Sequence, residues 1–356
     1  VKRDKSSSNH LFTPYSPDYS LREKLQRTAT ILHASAFAVT RLLQNKKIQF
    51  AASVEITDRC NAGCHYCYVY PQEWDQRQRL QGYLQLSKAE HSEKERQVFQ
   101  TLDQLKQAGI IHVTLVGGEP ALAPHIIQYA ANLFPIIWVV TNGAARLPLL
   151  PRSVSAFVSL DGPPDHHNQS RDPMGFFANH HYEGNTGMAA AIARNINQSE
   201  RGAFVHLTLT RPAVERFPEA VSWVVRTVTK LRGIIVSGTT AKTKDDPAAF
   251  TLEDRQRLKQ LIEAAAQTYG WSLFPFNQPK ANEFLFNAEH IIDTPSNCLV
   301  SQLTKTVDFD GRAVGKCVLR DEMDCQTCLC NMTALTQAIA QFDVKTIRGV
   351  SRANFG

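Results

Sequence analysis

Three cysteines fall within eight residues of the stretch DRCNAGCHYCYVYP: Cys60, Cys64 and Cys67, spaced C-x3-C-x2-C. Thiolates gathered in one short loop are soft metal ligands. A structural zinc ion takes four protein ligands, and only His65 stands near enough in sequence to be the fourth. His65 abuts Cys64, however, and adjacent residues rarely reach one tetrahedral ion together. The spacing points instead to a cubane [4Fe–4S] cluster held at three corners, its fourth iron open to a substrate or cofactor. Gly63 lets the loop curl against such a cluster, and the loop N–H groups can hydrogen-bond its sulfides. Five more cysteines, Cys298, Cys317, Cys325, Cys328 and Cys330, come late, and none lies between 68 and 297.

The rest of the composition narrows the setting. The chain has 356 residues, 43% hydrophobic and 20% charged, which fits one large globular domain or one plus an appendage. A formal net charge of +6 suits an anionic cofactor or a lipid headgroup surface. The basic residues are scattered, so nucleic-acid binding is not expected. No apolar h-region follows VKRDKSSSNH, and no apolar run reaches the roughly 18 residues of a spanning helix. A cytoplasmic protein is expected, in which eight cysteines serve metal or redox chemistry rather than disulfides.

The elements that must position the cysteines follow from apolar patterning. Residues 20–47 have helical spacing with basic residues around it, as a packing helix or as a basic amphipathic helix on a membrane surface. From residue 51, β-rich apolar runs alternate with helices: strands at 51–57, 110–120, 136–143, 155–162, 203–210 and 233–238. Helices are expected at 92–109, 122–133, 186–198, 218–231 and 251–269. This order predicts parallel strands under crossover helices, a partial (β/α)6 TIM-like barrel with its chemistry at the strand ends. The division is then 1–49, tail and basic helix; 50–250, barrel; 251–356, a cysteine-rich iron–sulfur extension that buries little core. DHHNQSRD reads as a polar loop with His166 and His167 solvated, as are His180 and His181. Trp271, Phe274, Phe276, Phe284 and Phe286 crowd an irregular stretch, either gluing the extension down or admitting an apolar substrate.

C-x3-C-x2-C after a first barrel strand, with Tyr66 just before the last cysteine, resembles the radical S-adenosylmethionine (radical SAM) superfamily. GGEP at 117–120 is similar to that family's second signature. The resemblance implies a [4Fe–4S] cluster on Cys60, Cys64 and Cys67, SAM chelated to its open iron, and a 5′-deoxyadenosyl radical from SAM cleavage. It implies that Gly117 and Gly118 admit the methionyl end of SAM and that Glu119 accepts from its ammonium. Tyr66 and the backbone near Tyr68 would face the adenine. Thr141, Asn142, Ser159 and Asp161 would meet the ribose and carboxylate, and Arg171 the carboxylate. The late cysteines resemble a SPASM or twitch extension for one auxiliary [4Fe–4S] cluster, with a hairpin at Asp310-Gly311 joining Cys298 to Cys317 and Cys330 as the spare ligand. Structural zinc is the alternative there.

Over residues 20–335 the chain looks most like the adenosyl-hopene transferase branch, whose radical adds to a lipid alkene. The implied function is a radical enzyme acting on a small-molecule or lipid-like substrate, by adenosyl transfer or hydrogen abstraction. It would be fed by a low-potential donor such as flavodoxin or ferredoxin, with peripheral membrane contact. A peptide-modifying maturase and a zinc-stapled basic binding module are the other readings.

Overall fold

In the computed structural model, the described residues are 11–17, 21, 25, 28, 29, 49–151 and 153–355. The expected helix at 20–47 lies almost wholly outside them. Six parallel strands run in chain order: β1 (Ala51–Glu55), β2 (His112–Val116), β3 (Ile136–Thr141), β4 (Val154–Leu160), β5 (Ala203–Leu209) and β6 (Leu231–Gly238). A seventh, β7 (Thr304–Val307), lies parallel to β1 on its free side, Ala51 opposite Thr304 and Val54 opposite Val307. The order is β6-β5-β4-β3-β2-β1-β7, an open partial barrel. The expected strands are found within one to four residues at their ends, and β7 is an addition.

Successive side chains on a strand point to opposite faces. Val54, Val113, Leu115, Ile137, Val139, Val158, Val205, Leu207, Ile234 and Val236 form the outer core under the crossover helices. These include α2 (Lys88–Gln107), α3 (Pro124–Leu133), α5 (Gly187–Gln198), α6 (Phe217–Thr227) and α7 (Leu252–Tyr269), while a short α1 (Gln76–Gln81) precedes them over the cysteine loop. Ser87 and Glu90 form a capping box that starts α2 earlier than its apolar spacing suggests. No helix of the described residues is long and apolar enough to cross a membrane.

The inner face is divided. Its lower part carries Trp138, Phe157, Phe204 and Ile235, packed on Phe276, Leu335 and Ala353 from the extension. Phe157 stacks on Phe204 at 5.2 Å between centroids, and Trp138 lies 5.5 Å from Phe276. After a short α9 (Leu299–Leu303), the last helices, α10 (Asn331–Ala340) and α11 (Val344–Phe355), seal this floor. Trp138 Nε1 donates to Asn354 Oδ1 at 2.7 Å, and Ser155 Oγ donates to the Ala353 carbonyl at 2.7 Å. The extension therefore builds core, contrary to the sequence expectation. Phe274, Phe276, Phe284 and Phe286 are all buried, so the aromatic stretch is packing and not an entrance. Much of it is helical, α8 (Pro279–Phe286).

The exposed side of β6 is also covered. Asn277 donates to the Val236 carbonyl at 3.1 Å and accepts from the Val236 N–H at 2.8 Å. One side-chain amide thus satisfies both backbone groups of an edge position.

Candidate active site

The chain leaves β1 into the cysteine loop, and the loop is fixed from four sides. Gly118 N–H donates to the Thr57 carbonyl at 2.9 Å, and Glu119 N–H to Arg59 at 2.8 Å. A Cβ on Gly118 would stand 2.1 Å from the Arg59 oxygen, and one on Gly117 2.7 Å from the Thr57 oxygen. Both glycines of GGEP are thus required by the approach of the loop's own backbone. From α1, the Arg79 carbonyl accepts from Cys60 N–H at 2.9 Å, while Arg79 Nη1 donates to the Cys64 carbonyl at 3.0 Å. Gln76 donates to Asn61 and to Asp172, and Gly63 N–H reaches the Arg171 carbonyl at 2.7 Å.

The donor chemistry suits an iron–sulfur cluster. All eight cysteines are free. Ala62 N–H points at Cys60 Sγ and Val69 N–H at Cys67 Sγ, each at 3.4 Å, and Asn142 Nδ2 lies 4.0 Å from Cys60 Sγ. Burial pushes the Cys60 thiol well up, with Glu119 and Cys64 adding to it. Burial likewise pushes Cys64 up to about 12, against the pull of Arg171. Buried thiolates in such company need a cationic partner, which bound metal supplies. His65, next to Cys64, is exposed. Among the described residues no three His, Cys, Asp or Glu side chains converge on a single ion.

Opposite the loop, Tyr66, Asp161 and Arg171 form one network. Arg171 Nε donates to Asp161 Oδ1 at 2.7 Å and its Nη2 to Tyr66 Oη at 2.6 Å. Tyr66 donates to Asp161 Oδ1 at 2.6 Å and Ser170 to Oδ2 at 2.6 Å. Burial alone would raise the Asp161 carboxyl, but the Arg171 charge together with His167, Ser170 and Tyr66 outweighs it and holds the group below its usual range. DHHNQSRD is not a solvated loop but part of a helix, α4 (Pro164–Arg171), with His167 and Arg171 buried. His167 Nδ1 accepts from Asp161 N–H at 3.2 Å, and burial pushes the imidazole down to about 3. His166 approaches Thr210 Oγ1 at 3.3 Å; His181 is exposed. Removing one partner of a buried ion pair strands the other, so Arg171→Met is expected to lower stability by about 3–5 kcal/mol. Urea unfolding compared with wild type measures it, and an unchanged midpoint would refute the pairing.

Glu119 is buried and already engaged. Oε1 accepts from Thr141 Oγ1 at 2.5 Å and Ala121 N–H at 2.8 Å, and Oε2 from Asn142 N–H at 2.7 Å. It ties the ends of β2 and β3 together. Asn142 also donates to Asn61 Oδ1 at 2.7 Å, linking β3 to the cysteine loop. Ser159 is buried on the inner face opposite His206, whose Nε2 lies 2.9 Å from Ser237 Oγ. The Tyr68 phenol is pushed up by burial and by Glu55, Cys67 and Cys317, with Arg320 opposing.

The late cysteines gather at the mouth of the barrel. The chain turns at Asp310-Gly311 as expected, Asp308 N–H donating to the Arg312 carbonyl at 2.9 Å. Burial pushes Cys317 up to about 11, with Cys328, Cys298 and Cys325 adding to it. Burial pushes the Cys330 thiol up, with Cys328, Cys317 and Cys298 adding to it. The backbone at Cys328 (φ −61°, ψ 127°) and Cys330 (φ −72°, ψ 116°) is closer to polyproline II than to pleated strand. Residues 324–331 run along the exit of β6. Asp324 N–H reaches the Ala241 carbonyl at 3.1 Å, Gly238 N–H the Leu329 carbonyl at 3.1 Å, and Asn331 N–H Ser237 Oγ at 3.1 Å. Arg255, buried in α7, donates to the Gln326 and Cys328 carbonyls. Gln76, Arg79, Glu55, Arg255 and Arg320 escaped the sequence reading. Only Glu55, a carboxylate inside an apolar strand, carried a local signal.

Residues 54–150, from within β1 to the approach of β4, match the Radical SAM superfamily model. The architecture is that of radical SAM partial barrels. SuiB of Streptococcus suis bound to precursor peptide SuiA superposes with a TM-score of 0.50 at 14% identity, covering 81% of this chain and 64% of that one. anSMEcpe with bound AdoMet gives 0.51 at 14% identity over 86% and 84%. anSMEcpe with AdoMet and Kp18Cys peptide gives 0.50 at 13% over 86% and 83%. The chain thus spans under two thirds of the SuiB structure. No curated protein matches it in sequence.

Proposed function

We propose that the protein is a radical SAM enzyme with an auxiliary iron–sulfur cluster. The observation that carries this is the joining of the three-thiol loop to GGEP and to the ends of β3 and β4, inside a domain matched to that superfamily. Cys60, Cys64 and Cys67 would hold a [4Fe–4S] cluster and SAM would sit on its open iron. Together these supply reductive cleavage of SAM to methionine and a 5′-deoxyadenosyl radical. The chain's own part is placement. Glu119, Gly117, Gly118, Thr141 and Asn142 fix the strand-end surface offered to the methionyl and ribose groups, Ser159 adding a hydroxyl. Tyr66 and Tyr68 flank the adenine position. Arg171, paired with Asp161, holds the Tyr66 hydroxyl in place, and the aromatic floor excludes water from below. An electron would come from a low-potential carrier such as flavodoxin or ferredoxin, in the reducing cytoplasm.

Above that floor the inner face is polar: Glu55, Ser159, His206 and Ser237. Such a lining favours a polar substrate, and the peptides bound to SuiB and to anSMEcpe support a peptide. Adenosyl transfer to a lipid alkene is the second reading, favoured by the sequence likeness and not by this interior. Anaerobically reconstituted protein should release 5′-deoxyadenosine from SAM under strong reductant and carry about eight irons, two four-iron clusters. About four irons with one zinc would make the late site structural zinc. No SAM cleavage in protein of full iron content would overturn the assignment.

A further inference from the structure

We propose that Glu55 and Arg320 are a positioning pair that locks the late-cysteine loop to the barrel and sets the charge between the two cysteine groups. This rests on the iron–sulfur reading above. Glu55 ends β1 on the inner face, five residues before Cys60; Arg320 follows Cys317 by three and precedes Cys325 by five. Arg320 Nη2 donates to Glu55 Oε1 at 2.8 Å across 265 residues of sequence. The Glu55 side chain is wholly buried and that of Arg320 is 25% exposed.

Two further observations mark the pair. Arg320 has φ +66°, a left-handed backbone that an L-residue adopts at a cost, and it aims the guanidinium inward. Arg320 Nε is buried and makes no hydrogen bond within the described residues, and the Tyr83 hydroxyl lies close to Glu55. Unpaired buried groups of this kind concentrate where a protein gives up stability for function.

The late tract is held unequally. Its 324–331 end is tied to β6 by the backbone hydrogen bonds described above; its other end is tied to β7 at Val314, whose N–H donates to the Thr306 carbonyl at 2.9 Å, and beyond that residues 315–323 meet β1 through this ion pair. Neutralising Glu55 leaves the Arg320 charge uncompensated and makes a nearby centre easier to reduce. Neutralising Arg320 does the reverse.

The test compares reconstituted full-length wild type, Glu55→Gln, Arg320→Gln and the double variant. Iron per chain, EPR-monitored potentials and amide hydrogen exchange are measured on each. With iron unchanged, Glu55→Gln should favour reduction of the late centre at least tenfold, 59 mV for one electron. Arg320→Gln should disfavour it, and the double variant should fall between them. Exchange across 315–323 should speed at least tenfold in both single variants and stay unchanged across 324–331. Potentials that move together or not at all, or unaltered exchange in 315–323, would overturn the proposal. If wild type shows no late iron signal, the auxiliary-cluster reading fails, and the exchange data alone decide the lock.

Discussion

Replacing Cys60, Cys64 and Cys67 together by alanine should reduce 5′-deoxyadenosine release to the level of reductant alone. The same protein should keep its fold and its late iron, falling from about eight irons to about four. The fold survives because the three thiols carry little of the loop's structure. They accept two N–H contacts at 3.4 Å and a longer one from Asn142 at 4.0 Å, and sulfur is a weak acceptor. What shapes the loop is backbone and side-chain bonding from Arg79, Gln76, Gly118 and Glu119, none of which the change touches. Circular dichroism, iron assay and chromatographic detection of 5′-deoxyadenosine check the three parts. Release at the wild-type rate from the triple variant would end the radical SAM assignment.

Gly118→Ala is the second large effect, and a glycine elsewhere serves as its control. Gly118 does not have the positive φ that usually explains a glycine. Its added methyl would lie 2.1 Å from the Arg59 oxygen, 2.6 Å from its carbon and 2.7 Å from Tyr70 Oη. Two of these atoms are backbone and cannot rotate aside. The displacement would also break the Glu119 N–H bond to Arg59, so a loss of about 3 kcal/mol or more is expected, the upper end of overpacking costs. Gly184 is the opposite case: φ +75° and no atom within 4 Å of a Cβ. Gly184→Ala should cost only about 1–2 kcal/mol, the price of a left-handed L-residue. Urea midpoints for the two variants should therefore separate clearly. Equal midpoints would mean that the 117–120 turn yields where these contacts say it cannot.

The parts of the fold legible in the sequence were those with a repeating physical signature. Parallel strands covered on both faces read as apolar runs, and AASVEIT, IIWVVTNG and SAFVSLDG were located on that basis. Helix α4 was missed because PDHHNQSR has no apolar stripe, its buried members being His167 and Arg171. Strand β7 has only four residues, TKTV, and takes its identity from β1 across some 250 residues. The aromatic stretch looked irregular because Phe274, Phe276, Phe284 and Phe286 are buried from different directions. At the site, ligand types and spacing were visible and partnership was not. Glu119 and Arg171 looked like free arms for a cofactor, whereas each is already bonded to protein groups far off in sequence.

The floor of the barrel has a consequence for how the chain is made. Trp138, Phe157 and Phe204 leave the ribosome well before Phe276, Leu335 and Ala353, which cover them. Until then the nascent chain holds an unroofed aromatic surface and a β1 edge still waiting for β7, both open to wrong partners. A stop codon or frameshift between about residues 331 and 344 would leave the Trp138 indole and the Ser155 hydroxyl without the acceptors that α11 provides. Such a truncated product would retain every residue from Cys60 to Cys330 and still be a target for chaperones and proteases.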